Sequence, residues 1–275
     1  MSNIEMTRVF KEYLDESVIL KYTRASAGFG ISYLLDHDYK SIYLEALSIL
    51  PPEMKRDGLS VLELGCGGGM NLIHLVSVLN QKAIPIRRAV GTDFSPVLID
   101  AANREAKSYL HENQRQQVEF YLAKHETLIE DLHKASGMET SQLRNSFNFV
   151  LGVNTVRYSH HAGTEQECAQ TIADVLMPGG VCVMIDMNDK FPFFKSEVKN
   201  RFRTQKREEC YIPSLAEYTT PFRQVGLEVL RSENFCWIPH SSGQLMCHLL
   251  SALSPVLNVV ARSRAMRSLV VARKR

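Results

Sequence analysis

The chain has 275 residues, of which 45% are hydrophobic and 23% charged, with a formal net charge of +2. That balance excludes disorder as the main state, and no apolar run reaches the roughly 18 residues a membrane-spanning helix needs. The near-neutral total argues neither for nor against nucleic acid, although bases gather in residues 189–207 and in the closing RSRAMRSLVVARKR.

The opening MSNIEMTRVFKEYLDES mixes acids and bases and lacks the apolar centre of a secretory signal. Residues 1–58 read as helices that form a cap. VFKEYLDESVILKYT and SIYLEALSILPPE both space apolar residues helically, and Gly28 and Gly30 mark a turn between them. From Leu59 the pattern changes. SVLELG, RRAVGTDF, VEFYLA, FNFVLGVN and VCVMIDMN read as five strands, separated by helical stretches at 70–79, 96–111 and 163–176. Ser95 and Pro96 supply the N-cap and first position of the second of these helices. Beyond residue 188 a basic insertion covers about 189–212. A helix over 214–224, a strand in GLEVLRSENFCWI, an apolar helix over 244–261 within a second insertion (about 240–264) and a final strand RSLVVARK follow.

Strands that are apolar at nearly every position are buried on both faces, and short αβ alternation implies a parallel sheet covered by helices. The expected class is α/β: a doubly wound, mainly parallel seven-stranded Rossmann-like sheet over 59–275, with the N-terminal cap and two insertions. Right-handed crossovers place the strand C-termini on one edge, where ligands of such sheets bind. Six cysteines without any C-x-x-C spacing read as reduced, mostly buried thiols, and a cytoplasmic location is expected. No metal site is apparent.

Glu63-Leu64-Gly65-Cys66-Gly67-Gly68-Gly69 lies between a strand and a helix, where glycines let the backbone approach a ligand. Asp93 closes the next strand, where an acid can accept from both hydroxyls of a ribose. A dinucleotide fingerprint would require a third glycine where Met70 stands. The loop instead reads E-x-G-x-G-x-G, which resembles the first motif of the class I S-adenosylmethionine-dependent methyltransferases. GTDFS resembles their second motif, and LMPGGVCVMIDMN the approach to their fifth strand. The resemblance spans roughly residues 59–188 and the final strand.

It implies S-adenosylmethionine as cofactor and S-adenosylhomocysteine as product. Gly65, Cys66, Gly67 and Gly69 would underlie the cofactor, with Glu63 holding the loop. Asp93 would bind the ribose, Phe94 lie against adenine, and Ala123 offer backbone groups to it. Lys124 stands where relatives often carry an acid, leaving the adenine contact to the backbone near Ala123 or to Glu126.

The acceptor side follows the fourth strand, in Gly152-Val153-Asn154-Thr155-Val156-Arg157-Tyr158-Ser159-His160-His161. Asn154 is expected to line the site, and His160 or His161 is the candidate base, because histidine titrates near neutrality. Arg157 and Tyr158 are candidates for acceptor contact, as are Tyr22, Arg24 and Tyr33 from a closing cap and Phe193 from the insertion. The expected reaction is methylation of a small hydrophobic or aromatic acceptor with an acidic group. Oxygen is favoured, and nitrogen and carbon stay open. An RNA or protein methyltransferase and a non-catalytic cofactor-binding protein are the alternatives. No nucleic-acid module or transmembrane segment is expected, and a homodimer stays open.

Overall fold

The computed structural model describes residues 11–24, 27–192 and 211–275. Seven strands form one sheet: β1 (Leu59–Leu64), β2 (Ile86–Asp93), β3 (Val118–Leu122), β4 (Phe147–Val153), β5 (Leu176–Met187), β6 (Glu228–Phe235) and β7 (Arg267–Arg273). Their order is β3-β2-β1-β4-β5-β7-β6. β1 to β5 pair in parallel, whereas β7 runs antiparallel to both of its neighbours. Strand order reverses between β1 and β4, so a crevice opens beyond their C-terminal ends.

Helices cover both faces. α1 (Phe29–Leu34) passes through a π-turn at Leu35–Tyr39 into α2 (Lys40–Ile49). α3 (Met70–Gln81), α4 (Pro96–Tyr109), α5 (Leu128–Ser136), α6 (Val156–Ala162), α7 (Glu165–Val175), α8 (Leu215–Gln224) and α9 (Gln244–Val260) follow. In β5, Val181, Val183 and Ile185 join one buried cluster, and Cys182 and Met184 join the other. That period of two is what burial on both faces requires. The first cluster also takes Leu34, Leu35, Tyr39, Ile42 and Tyr43, so α1 and α2 share a core with the sheet.

Local chemistry explains the boundaries. The Ser95 hydroxyl accepts from Leu98 N at 3.3 Å and opens α4, with Pro96 in its first turn. Ser214 and Glu217 cap the start of α8 reciprocally. Gly163, at φ +75°, ends α6 and separates it from α7, so the single helix expected over 163–176 is the second of two. β5 starts at Leu176, ahead of the expected 181, because Phe147 of β4 pairs with Leu176 before the register shifts. Most of the basic insertion lies outside the described residues. The five described cysteines are buried and not disulfide-bonded. Among the described residues no helix is long and apolar enough to cross a membrane.

Candidate functional site

A cavity of about 1100 Å³ opens beyond the ends of β1, β2 and β4, with the β1–α3 loop at one end and the start of β7 at the other. At the first end the chain turns through Gly65 (φ +59°), Gly67 (φ +53°) and Gly69 (φ +78°). A Cβ on Gly65 would sit 2.1 Å from Thr155 Oγ1, and one on Gly68 would sit 2.5 Å from the Tyr22 carbonyl. Conformation and space both exclude a side chain at Gly65, and space excludes one at Gly68.

Gly67 N donates to Asp93 Oδ2 and Ser95 N to Oδ1, each at 2.9 Å. Burial raises the Asp93 pKa, and these backbone donors oppose the rise. Each oxygen keeps further lone-pair capacity, and the side chain lines the cavity. A glycine cradle with a fixed acceptor pair beside it fits a ribose and its extended substituent. Phe94, Leu98 and Ala123 form the adjoining apolar wall. Ala123 N is already committed to the Asp93 carbonyl at 3.0 Å. Lys124 N donates to Asp131 Oδ2 at 3.1 Å, and Glu126 accepts from Thr164 Oγ1 at 2.9 Å.

Glu63 lies behind this loop rather than in the cavity. Its Oε2 accepts from Leu72 N at 2.9 Å, so it anchors the first turn of α3. Burial pushes its pKa up to about 8. Gly69 precedes the first residue of α3 and likewise does not line the cavity.

The N-terminal segment forms a roof. The Tyr22 carbonyl accepts from Gly68 N at 3.1 Å, and the Tyr13 carbonyl accepts from the Ser95 hydroxyl. The Tyr13 hydroxyl meets the Tyr22 hydroxyl at 2.9 Å and also bonds the Tyr158 hydroxyl. Burial and these neighbours raise the Tyr13 pKa, keeping the phenol neutral. Below, His125 Nε2 lies 3.0 Å from Thr155 Oγ1 and Nδ1 lies 3.4 Å from Ser159 Oγ, tying the end of β3 to the β4–α6 turn. Burial lowers the His125 pKa and favours neutral imidazole.

The chain belongs to the methyltransferase-domain family. The family model matches residues 55–229, which include the glycine loop, Asp93 and the sheet from β1 to β5. Its reaction class is S-adenosylmethionine-dependent methyl transfer. Solved structures share the fold at low identity. A Mesorhizobium loti S-adenosylmethionine-dependent methyltransferase is 15% identical, with 84% of this chain and 97% of that chain covered and a TM-score of 0.54. The protein complexed with the Trm112 methyltransferase activator of Haloferax volcanii is 17% identical, covering 87% and 90%, with a TM-score of 0.51. The [4+2]-cyclase SpnF is 14% identical, covering 94% and 80%, with a TM-score of 0.50. No curated protein matches.

The far end of the methyltransferase cavity is built by the turn after β4. Asn154 adopts φ +56°, a left-handed conformation that asparagine tolerates better than most residues, and its side chain faces the cavity. Asn154 Oδ1 accepts from Arg267 Nη1 and, at 3.5 Å, from Arg157 Nη1. Arg157 is held by Asp186, through its backbone N at 3.0 Å and Nη1 at 3.2 Å, and its Nη2 donates to the Tyr158 hydroxyl at 2.9 Å. Arg267 Nη2 donates to His240 Nε2. Burial and the positive charge of Arg267 and Arg157 push the His240 pKa down to about 2. Ile31, Leu34, Leu35, Met187, Phe191 and Met266 complete an apolar chamber.

Ten expected residues thus meet in one cavity: Tyr22, Gly65, Cys66, Gly67, Asp93, Phe94, Ala123, Asn154, Arg157 and Tyr158. His160 and His161 do not. α6 turns Arg157, Tyr158 and Ala162 toward the cavity, which leaves the two histidines on other faces. The His160 ring lies 6.0 Å from that of Tyr218, and His161 Nδ1 accepts from Tyr211 N at 3.3 Å. Neither is placed to take a proton from an acceptor in this chamber. Arg24 stacks 5.0 Å over Tyr109, and Tyr33 donates to Ser251 Oγ at 2.8 Å, so both brace the cap outside the cavity. Phe193 lies outside the described residues. Tyr13, Tyr39, His240 and Arg267 escape the sequence reading. Only Arg267 leaves a signal, as a charge opening an apolar strand.

Proposed function

We propose that this methyltransferase methylates an oxygen of a small, largely apolar acceptor. The observation that carries the reading is one cavity joining the glycine loop and Asp93 to an apolar chamber beneath Tyr13 and Tyr22. Gly65, Cys66 and Gly67 would underlie the cofactor's methionine and ribose, Asp93 would accept from the ribose hydroxyls, and Phe94 and Ala123 would flank adenine. Bound S-adenosylmethionine supplies an electrophilic methyl group on sulfur and leaves as S-adenosylhomocysteine.

The protein's contribution is alignment and exclusion of water. The Tyr13–Tyr22 roof covers the cofactor end, and Asn154, Arg157 and Tyr158 fix the floor between the two ends. Arg157, Arg267, Tyr39 and Tyr158 point hydrogen-bond donors into the chamber or its wall, which suits oxygen. The same positive groups repel an alkylammonium, so a charged amine is disfavoured. The imidazoles of His125 and His240 are neutral, with pKa values lowered by burial. An acceptor that ionises readily therefore suits the site better than one needing a strong base.

The test is S-adenosylhomocysteine release from the full chain with panels of phenols, carboxylic acids, amines, transfer RNA and peptides. Turnover confined to phenols or carboxylic acids supports the reading. Turnover only with RNA or peptides replaces it, and no affinity for either cofactor form overturns it.

A further inference from the structure

The chamber beyond Asn154 holds a buried guanidinium that no described acid pairs with. Asp186, 0% exposed, gives both carboxylate oxygens to Arg157. Arg267 is only 4% exposed, yet it makes no ion pair with any described acid. Its partners are the neutral amide of Asn154 and the imidazole of His240, and its Nε has no partner. The remaining cavity acids, Asp93, Glu126 and Glu167, line other walls and do not pair with it. Among the described residues, Asp186 pairs with Arg157 and no acid pairs with Arg267. An uncompensated charge in a buried setting is strongly unfavourable unless something else supplies the counter-charge.

A second orphan lies in the same wall. Tyr39 is 3% exposed, lines the cavity, and its hydroxyl has no partner. It ends the π-turn between α1 and α2, an irregularity that recurs at functional sites. Burial pushes its pKa up to about 12, so the hydroxyl remains a donor. A buried donor with nothing to donate to is unfavourable. The two orphans are electrostatically coupled, since Arg267 is the strongest influence opposing that rise.

Arg267 is carried on β7, three strands from β1 in the order β1-β4-β5-β7, and its guanidinium reaches back to Asn154 after β4. It shares the far end of the cavity with Tyr39, Met187 and Phe191, so an anion held there is assigned to the acceptor, and separate titration of the cofactor product checks that assignment.

We propose that Arg267 and Tyr39 receive a single carboxylate carried by the acceptor, whose apolar remainder lies against Ile31, Leu34 and Phe191. The inference rests on the small-molecule reading above and adds the acceptor's charge class. A single guanidinium without a described acid matches a monoanion, so a carboxylate fits better than a phosphate dianion. Arg267 presents the planar donor fork that carboxylates favour, and the Tyr39 hydroxyl adds a third donor.

The test uses calorimetric titration of the full chain with octanoate, octyl phosphate and octanol at pH 7.5, with S-adenosylhomocysteine titrated separately. Octanoate should bind more tightly than either analogue. Arg267→Met should weaken octanoate at least 10-fold, and Tyr39→Phe several-fold, while neither changes S-adenosylhomocysteine affinity more than 2-fold. Octanoate binding that equals octanol binding, or that survives both substitutions, would overturn the site. Preference for octyl phosphate would overturn the carboxylate assignment. Failure of S-adenosylhomocysteine to bind while octanoate behaves as expected would sink the methyltransferase reading and leave the anion site standing.

Discussion

Tyr13 and Tyr158 are 145 positions apart in the chain, and their hydroxyls share a hydrogen bond across the mouth of the cavity. The same Tyr13 oxygen bonds Tyr22, so one residue joins the N-terminal segment to the turn after β4. The phenols are the clasp of the roof, and the backbone bonds to Gly68 and Ser95 are its hinge points.

Tyr13→Phe removes both phenolic bonds and keeps the ring against Phe94. Each bond contributes about 0.5–1.5 kcal/mol net. S-adenosylhomocysteine affinity should fall between ~5-fold and ~160-fold, and amides of residues 13–22 should exchange faster with solvent. Unchanged exchange would show that the backbone contacts hold the roof alone.

Asp93→Asn keeps the shape of the side chain and removes its charge. The amide offers one acceptor oxygen in place of two, so either the Gly67 or the Ser95 contact is lost. Cofactor affinity should drop about 100-fold or more, consistent with losing charge-assisted bonds worth about 1.5–3 kcal/mol each. Calorimetry reads the loss directly, and a change under 5-fold would remove Asp93 from the ribose role.

Glu63 carries a pH signature. Its pKa rises from 4.5 to about 8 on folding, chiefly through burial, so the folded state holds a proton that the unfolded state releases in that range. The sign follows: this contribution to stability is complete below pH 4.5 and is lost as pH climbs toward 8. Each pH unit in that window removes up to about 1.4 kcal/mol. Glu63→Gln should flatten the fall in melting temperature between pH 5 and 8 without disturbing S-adenosylhomocysteine binding. An equally steep fall in the variant would place the titration elsewhere.

The two chamber arginines should respond in opposite directions to the same substitution. Arg157→Met strands the fully buried Asp186 carboxylate and should destabilise the fold by about 3–5 kcal/mol. Arg267→Met removes a guanidinium that pairs with no described acid, and its melting temperature should hold or rise in the absence of ligand. Thermal unfolding of both variants decides the matter, and a large loss in Arg267→Met would show that its charge is balanced in the free protein.

Much of this was legible in the chain itself. The run from Leu59 to Leu64 is apolar enough to identify a doubly buried strand, and the glycines that follow sit where Thr155 and Tyr22 leave no room for a Cβ. Asp93 was readable because it closes the next strand, and parallel pairing with β1 brings it beside Gly67. The histidines were misleading for a matching reason. Proximity to the end of β4 put His160 and His161 near the site in sequence, but the sense of α6 turned them away.

The sequence by itself determined the parallel sheet, the glycine loop and the carboxylate beside it, because those features depend on local periodicity and on glycine and capping residues close together in the chain. The tertiary structure alone decided the far end of the cavity. Arg267 opens the last strand, Tyr39 ends a π-turn in the cap and Asn154 closes β4, and only the antiparallel insertion of β7 beside β5 brings them to one wall. Charge balance is likewise a property of that packing. Which arginine meets Asp186 and which is left without an acid depends on distances of a few ångströms between elements far apart in sequence, and burial turns that small geometric difference into a large energetic one.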